Sequence, residues 1–219
     1  MESFKEVWHL LRKEALLEFR MGYALSGIFL YVFSTIFIVY ASFIQVQPNV
    51  WNTLFWIVLL FAAVNAIVKS FVQESGSRQL YYYVLVSPVA VLAAKMIYNI
   101  ALLLVLSLLI WGALSVVAGN PVRETGLFLM AIFLGSSGFA ITFTFVAAIS
   151  AKADNNSTLL AILSFPLVIP ILMTLIKLSA NALALLNDTS FGNDILILLG
   201  IDLLLLGVAL VLFPFLWRD

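Results

Sequence analysis

Residues 95–118 read Lys95-Met96-Ile97-Tyr98-Asn99-Ile100-Ala101-Leu102-Leu103-Leu104-Val105-Leu106-Ser107-Leu108-Leu109-Ile110-Trp111-Gly112-Ala113-Leu114-Ser115-Val116-Val117-Ala118. One charge stands at the edge of this run and none lies inside it. A helix of about twenty such residues crosses the ~30 Å hydrocarbon layer of a bilayer. Five further stretches of the same kind lie at 23–44, 53–71, 126–150, 158–178 and 194–217. The reading is an all-α membrane protein with six transmembrane helices. No soluble domain fits between the spans and no repeat of 20–50 residues is visible, so residues 1–219 form one transmembrane unit.

Composition agrees. The chain is 64% hydrophobic and 10% charged, with mean hydropathy +1.15, where a soluble domain is about half apolar and a quarter charged. A net charge of +0 leaves no basic patch to neutralise phosphates, which argues against nucleic acid as a partner. The chain has no cysteine, which excludes disulfides, zinc ribbons, iron–sulfur clusters and thiolate ligation of haem. Residues 1–20 carry Glu2, Lys5, Glu6, Arg12, Lys13, Glu14, Glu18 and Arg20. That is not the pattern of a signal peptide.

Lysine and arginine decide the expected orientation. With the N-terminus in the cytoplasm, Lys5, Arg12, Lys13, Arg20, Lys69, Arg78, Lys95, Lys152 and Arg218 fall inside, and only Arg123 and Lys177 fall outside. Six spans return the C-terminus to the cytoplasm. Trp51, Trp56, Trp111 and Trp217 lie toward span ends, the place of interfacial aromatics.

Two cytoplasmic pieces are more than connectors. In the first, Phe4, Val7, Trp8, Leu11, Ala15 and Phe19 recur at helical spacing. This amphipathic helix is expected to lie in the membrane surface or, alternatively, to pack on the protein's own loops. The second spans 69–95. Gly76 breaks the second span, Ser77 is placed to cap a short new helix, and Pro88 ends it by disfavouring helix at Ser87. The tip Glu74-Ser75-Gly76-Ser77-Arg78-Gln79-Leu80 and its flank Tyr81-Tyr82-Tyr83 suit either docking in another protein's groove or an ordinary interfacial loop.

Within the spans, Ala62, Ala66 and Ser70 at four-residue spacing and the Gly135-Ser136-Ser137-Gly138 patch let helices approach closely. The same patch is expected to make its helix bendable and to serve contacts between protomers. Pro166 and Pro170 each remove a backbone donor one turn apart, predicting a bend in the fifth span. Asp202 lies roughly 12 Å into the last span. An ionisable group there is costly, so it is a candidate pathway residue, with a hydrogen bond to a neighbouring helix's hydroxyl as the structural alternative. Asn65 and Asn99 are expected to bond between helices. Residues 178–186 either extend the fifth helix or re-enter the membrane. No Gly-rich loop ends in Gly-Lys-Ser/Thr, so the chain lacks a P-loop for ATP. His9 alone cannot build an intramembrane metal or haem site. These features predict no enzyme and no catalytic residue.

The order of parts resembles the haem exporter protein B family, the membrane subunit of the cytochrome c maturation ABC system, over essentially the whole chain. The resemblance rests on Leu10-Leu11-Arg12-Lys13-Glu14, on Glu74–Leu80 with Leu85-Val86-Ser87-Pro88 and Ala93-Ala94-Lys95, and on Pro166-Leu167-Val168-Ile169-Pro170-Ile171-Leu172. It implies an ABC-2-type exporter membrane domain in the bacterial inner membrane, paired as a homodimer with two copies of a separate cytoplasmic ATPase. Glu74, Gly76, Arg78, Gln79 and Tyr81 then become the coupling-helix contact to the ATPase, and the N-terminal helix becomes an elbow. A haem-handling membrane protein and a haem chaperone are the implied partners. ATP acts through the ATPase, and haem is the implied cargo rather than a cofactor of this chain. The Tyr82-Tyr83 flank departs from the more acidic, leucine-rich pattern of the family. Two alternatives remain beside this reading: a permease for a lipid, polysaccharide or drug, and a non-transporting scaffold of a haem-handling complex.

Overall fold

Apolar runs free of helix-breaking pairs satisfy their backbone groups internally, which a bilayer requires of any spanning segment. The computed structural model describes residues 2–20, 23–42, 45–72, 87–152, 157–186 and 191–218. They form α1 (Glu2–Arg20), α2 (Tyr23–Ser42), α3 (Pro48–Val72), α4 (Pro88–Ala118), α5 (Thr125–Lys152), α6 (Ser157–Ala182) and α7 (Phe191–Arg218). No strand occurs among the described residues.

Among the described residues, five helices are long and apolar enough to cross a membrane: Pro48–Ile67, Pro88–Ala118, Thr125–Ala151, Ile162–Ala182 and Phe191–Phe215. The first expected span falls on α2, where the apolar stretch Ser26–Ser42 is shorter. The segment from Glu74 to Tyr83, with Glu74, Gly76, Arg78, Gln79 and Tyr81, lies outside the described residues.

Local chemistry explains several helix ends. Pro88 opens α4 after an extended Ser87. A proline suits the first turn because the N–H it lacks has no helical partner there. The helix therefore begins two turns before the expected start at Lys95. Gly119, at φ 79°, ends it. Residues 178–182 extend and complete α6. The Leu185 N–H then donates to the Ala180 carbonyl (3.0 Å) and the Ala184 N–H to the Asn181 carbonyl (2.9 Å). That pair of bonds is a Schellman cap, built here with Ala184 at φ 55° where glycine is usual. The Ala182 carbonyl accepts from the Arg123 and Glu124 N–H groups, so the loop before α5 ties down the end of α6.

Helix α5 is the centre of the bundle. It packs against α3, α4, α6 and α7, while α2 rests on α3 and α4, and α1 rests on α4. Lipid tails are as apolar as leucine, so helices gain little from hydrophobic burial against one another and associate through close packing and hydrogen bonds. The small residues of α5 serve that packing. A Cβ on Gly135 would come within 2.5 Å of the Trp56 ring, so only glycine admits the indole at this distance. Helix α5 runs unbroken through the patch. Gly135 and Gly138 meet α3, α6 and α7 of the same chain, so they serve contacts within the protomer.

The tryptophans also differ from expectation. Trp51 and Trp56 are fully buried, where interfacial positions were expected. Trp51 stacks on Phe55 with ring centroids 5.8 Å apart, and Phe55 meets Trp56 edge-on at 5.0 Å. The Trp56 indole donates to Ser179 Oγ at 2.7 Å, and Asn52 Nδ2 donates to the Ile176 carbonyl at 2.9 Å. The ring is thus held by α6 and cannot swing away from α5.

Gly135→Ala is therefore expected to cost about 1–3 kcal/mol through overpacking, seen as a lower thermal midpoint of the detergent-solubilised protein. Gly126, whose Cβ position is open, supplies the control: Gly126→Ala should leave the midpoint unchanged or slightly raised.

Candidate functional site

A polar contact within the apolar bundle joins α5 to α7. Asp202 lies roughly 16 Å along α7 from Phe191 at the helical rise, near the middle of the Phe191–Phe215 span. It is only 6% exposed. Ser137 Oγ donates to Asp202 Oδ2 at 2.8 Å, and the same hydroxyl lies 2.9 Å from the Leu134 carbonyl one turn earlier. A Cβ on Gly138 would stand 2.7 Å from Asp202 Oδ1 and 3.3 Å from Ile171 Cγ2. Ser137 thus holds one carboxyl oxygen while Gly138 makes room for the other. Among the described residues, Asp202 Oδ1 has no hydrogen-bond partner.

This arrangement is a polar joint between two helices, with the carboxyl turned into the bundle. Nothing in the described contacts supplies the nucleophile, second acid or cation that chemistry at Asp202 would need. Pro166 and Pro170 are not brought to it. Both sit on the exposed side of α6 with Ile162, Phe165 and Met173, whereas Val168, Ile171 and Leu175 face the core. Both lie within the continuous helix Ser157–Ala182, and Thr174 Oγ1 donates to the Pro170 carbonyl at 2.8 Å. The two prolines therefore lie on the exposed side of α6, whereas Asp202 lies buried on α7.

The asparagines divide. Asn99 Nδ2 donates to Thr144 Oγ1 at 2.8 Å, joining α4 to α5 as expected. Asn65 instead donates to the Phe61 carbonyl of its own helix at 2.9 Å and is exposed, so it makes no interhelical bond in the described contacts. The reason is its register: Asn65 falls with the exposed Ile57 and Phe61 rather than with buried Ala62 and Ala66.

Among the described residues, two ion pairs join different helices. Lys177 Nζ lies 3.1 Å from Asp194 Oδ1, linking α6 to the first turn of α7. Lys95 Nζ lies 3.4 Å from Glu14 Oε1, linking α4 to α1. The amphipathic helix thus packs on the protein, with Val7, Leu10 and Leu11 half-buried, while Trp8, His9, Arg12 and Leu16 remain exposed. A lysine standing at the edge of an apolar run was the available signal for Lys95, though it named no partner. An open, apolar groove of about 640 Å³ runs between α2 and α4 beside Phe33, Phe37, Tyr40, Leu109, Gly112 and Val116. It includes none of the candidate residues.

With this geometry in view, the comparison with known families is decisive. A family model described as CcmB protein matches residues 5–217. The chain belongs to that family, the haem exporter protein B family. The match takes in α1 and reaches into the last turn of α7, so the helices described above are parts of a haem exporter protein B member. No curated protein matches the chain. Membership implies a membrane-embedded permease role in cytochrome c maturation and agrees with the apolar helices of the bundle.

Asp202→Asn keeps an oxygen to accept from Ser137, so the protein level in membranes should be unchanged. Asp202→Leu removes that acceptor and should cost about 1–3 kcal/mol, read as a lower thermal midpoint. Loss of activity in Asp202→Asn at normal protein level would place the carboxyl in the transport path instead.

Proposed function

We propose that the chain is the permease subunit of an ABC transporter for cytochrome c maturation, which couples ATP hydrolysis by a separate subunit to haem export or to release of haem-loaded chaperone. Family membership over residues 5–217 carries the reading. Support comes from the absence of a Gly-Lys-Ser/Thr nucleotide loop in the sequence, which assigns ATP hydrolysis to a partner.

In this reading α2 is the first of six spans, since 20 residues of helix extend about 30 Å, the thickness of the hydrocarbon layer. Both termini face the cytoplasm by the distribution of lysine and arginine, and the bilayer is the bacterial inner membrane. Two copies of the chain pair with two ATPase subunits. Helix α1 is the elbow. Glu74, Gly76, Arg78, Gln79 and Tyr81 form the coupling contact, held between α3 and α4 in the chain. A haem-handling membrane protein receives the cargo, and a haem chaperone leaves loaded. The chain binds no cofactor by itself and catalyses no reaction.

Disruption of the gene in its host should abolish covalent haem staining of c-type cytochromes, and the intact gene should restore it. Normal cytochromes in a strain without a second copy would sink the assignment and leave an ABC-2-type permease for a lipid, polysaccharide or drug. Glu74→Arg and Arg78→Glu are each expected to reduce co-purification of the ATPase while leaving membrane insertion intact. Undiminished co-purification would remove the segment from the contact.

A further inference from the structure

Helix α1 has two unlike faces. Glu6, Val7, Leu10, Leu11, Lys13 and Glu14 are half-buried, whereas Trp8, His9, Arg12 and Leu16 are exposed. At 3.6 residues per turn the exposed four fall within one arc of about 100°, and the half-buried six occupy the opposite side. The main neighbour of α1 is α4, so the exposed arc points away from the bundle. Its composition is not that of a face turned to water: Trp8 is 63% exposed and Leu16 59%.

Depth decides what meets this arc. Helix α4 has 31 residues and extends about 46 Å, against the ~30 Å of the hydrocarbon layer. Its last turn is level with the end of α6, because the loop that follows α4 bonds to the Ala182 carbonyl through the Arg123 and Glu124 N–H groups. The surplus length therefore falls in the first turns of α4, after Pro88. Helix α1 meets α4 there, with Glu14 Oε1 3.4 Å from Lys95 Nζ. Too charged to span the bilayer, α1 is held beside the edge of the hydrocarbon layer, at the depth of lipid headgroups.

Arg12 stands one turn from Trp8 and one turn from Leu16. Acyl chains alone would strip Arg12 of hydration, and water alone would leave the indole and Leu16 uncovered. The headgroup layer serves all four: a guanidinium matches a phosphate bidentately, Trp and His each offer an apolar body with a polar tip, and Leu16 reaches the acyl boundary. Charge agrees. Arg12 is the charged side chain exposed on the arc, while Glu6 and Glu14 lie on the other side, so a positive surface faces the phosphates. Four side chains fall far short of the ~800 Å² per partner that a stable protein interface buries. We infer that Trp8, His9, Arg12 and Leu16 form a binding surface for anionic phospholipid headgroups. This surface does not depend on the proposed permease function.

Because the chain contains no cysteine, an apolar fluorophore attached at Leu16→Cys reports on the arc alone. The full chain is reconstituted in vesicles that contain a trace of either phosphatidylglycerol or phosphatidylcholine with a nitroxide near the headgroup, and quenching is compared with that by aqueous iodide. Phosphatidylglycerol should quench at about fivefold lower mole fraction than phosphatidylcholine, the factor expected of one cationic side chain at an anionic surface. Arg12→Gln should abolish the preference and Arg12→Lys should keep most of it. Arg12 is exposed, so neither substitution disturbs the face packed on α4. Equal quenching by the two lipids, or an undiminished preference in Arg12→Gln, overturns the inference. So does quenching by iodide rather than by lipid, which would place the arc in water. A label shielded from both quenchers only when the ATPase subunit is present would also overturn it, and would assign the arc to a protein contact.

Discussion

Helix α5 is enclosed by four neighbours and has almost no face left for lipid. That enclosure constrains everything around it. In a bilayer an apolar side chain gains little by exchanging lipid for protein, so a helix is held at the centre only where its surface fits its neighbours closely. Gly135 lets the rigid indole of Trp56 lie against the backbone from α3, and Gly138 lets the Asp202 carboxyl do so from α7. Neither contact tolerates a methyl group without movement of a side chain that is itself held, Trp56 by Ser179 and Asp202 by Ser137.

The polar residues inside the bundle follow the same logic. Asn99 with Thr144, Asp202 with Ser137, and Asn52 with the Ile176 carbonyl each join two helices. Packing of leucine and phenylalanine permits rotation and sliding at small cost, whereas a hydrogen bond in a low-dielectric interior is lost if either helix turns. These bonds define the rotation of α3, α4 and α7 about α5 and α6. Asp202 belongs with them. Its depth in the membrane is that of a functional group, and its surroundings are those of a joint.

The two ends of the bundle are fastened differently. At one end, the loop before α5 bonds to the end of α6 through Ala182, and Lys177 reaches Asp194. At the other, α1 is held against α4 by the Glu14–Lys95 pair beside Pro88. Backbone hydrogen bonds resist both sliding and separation. The Glu14–Lys95 contact is an ion pair between side chains at 3.4 Å.

Much of the fold was legible in the sequence because a long apolar run has one outcome in a bilayer: a helix, with every backbone group bonded inside it. The all-helical character of the described residues, their long apolar helices and the family resemblance followed from composition, periodicity and motif order. The left-handed Ala184 that ends α6 was not legible, since no glycine marks it. Nor was the burial of Trp51 and Trp56, because a tryptophan near a span end has the same sequence signature whether it faces headgroups or a neighbouring glycine. Of the candidate site, Asp202 was visible as a buried acid, but its partner lies 65 positions away. Lys95 and Glu14 are separated by 81. Helical periodicity describes a single helix, and which faces meet is decided by close packing between helices. The tertiary structure therefore settled which small residues admit Trp56 and Asp202, which side of α6 carries Pro166 and Pro170, and which charge meets Lys95.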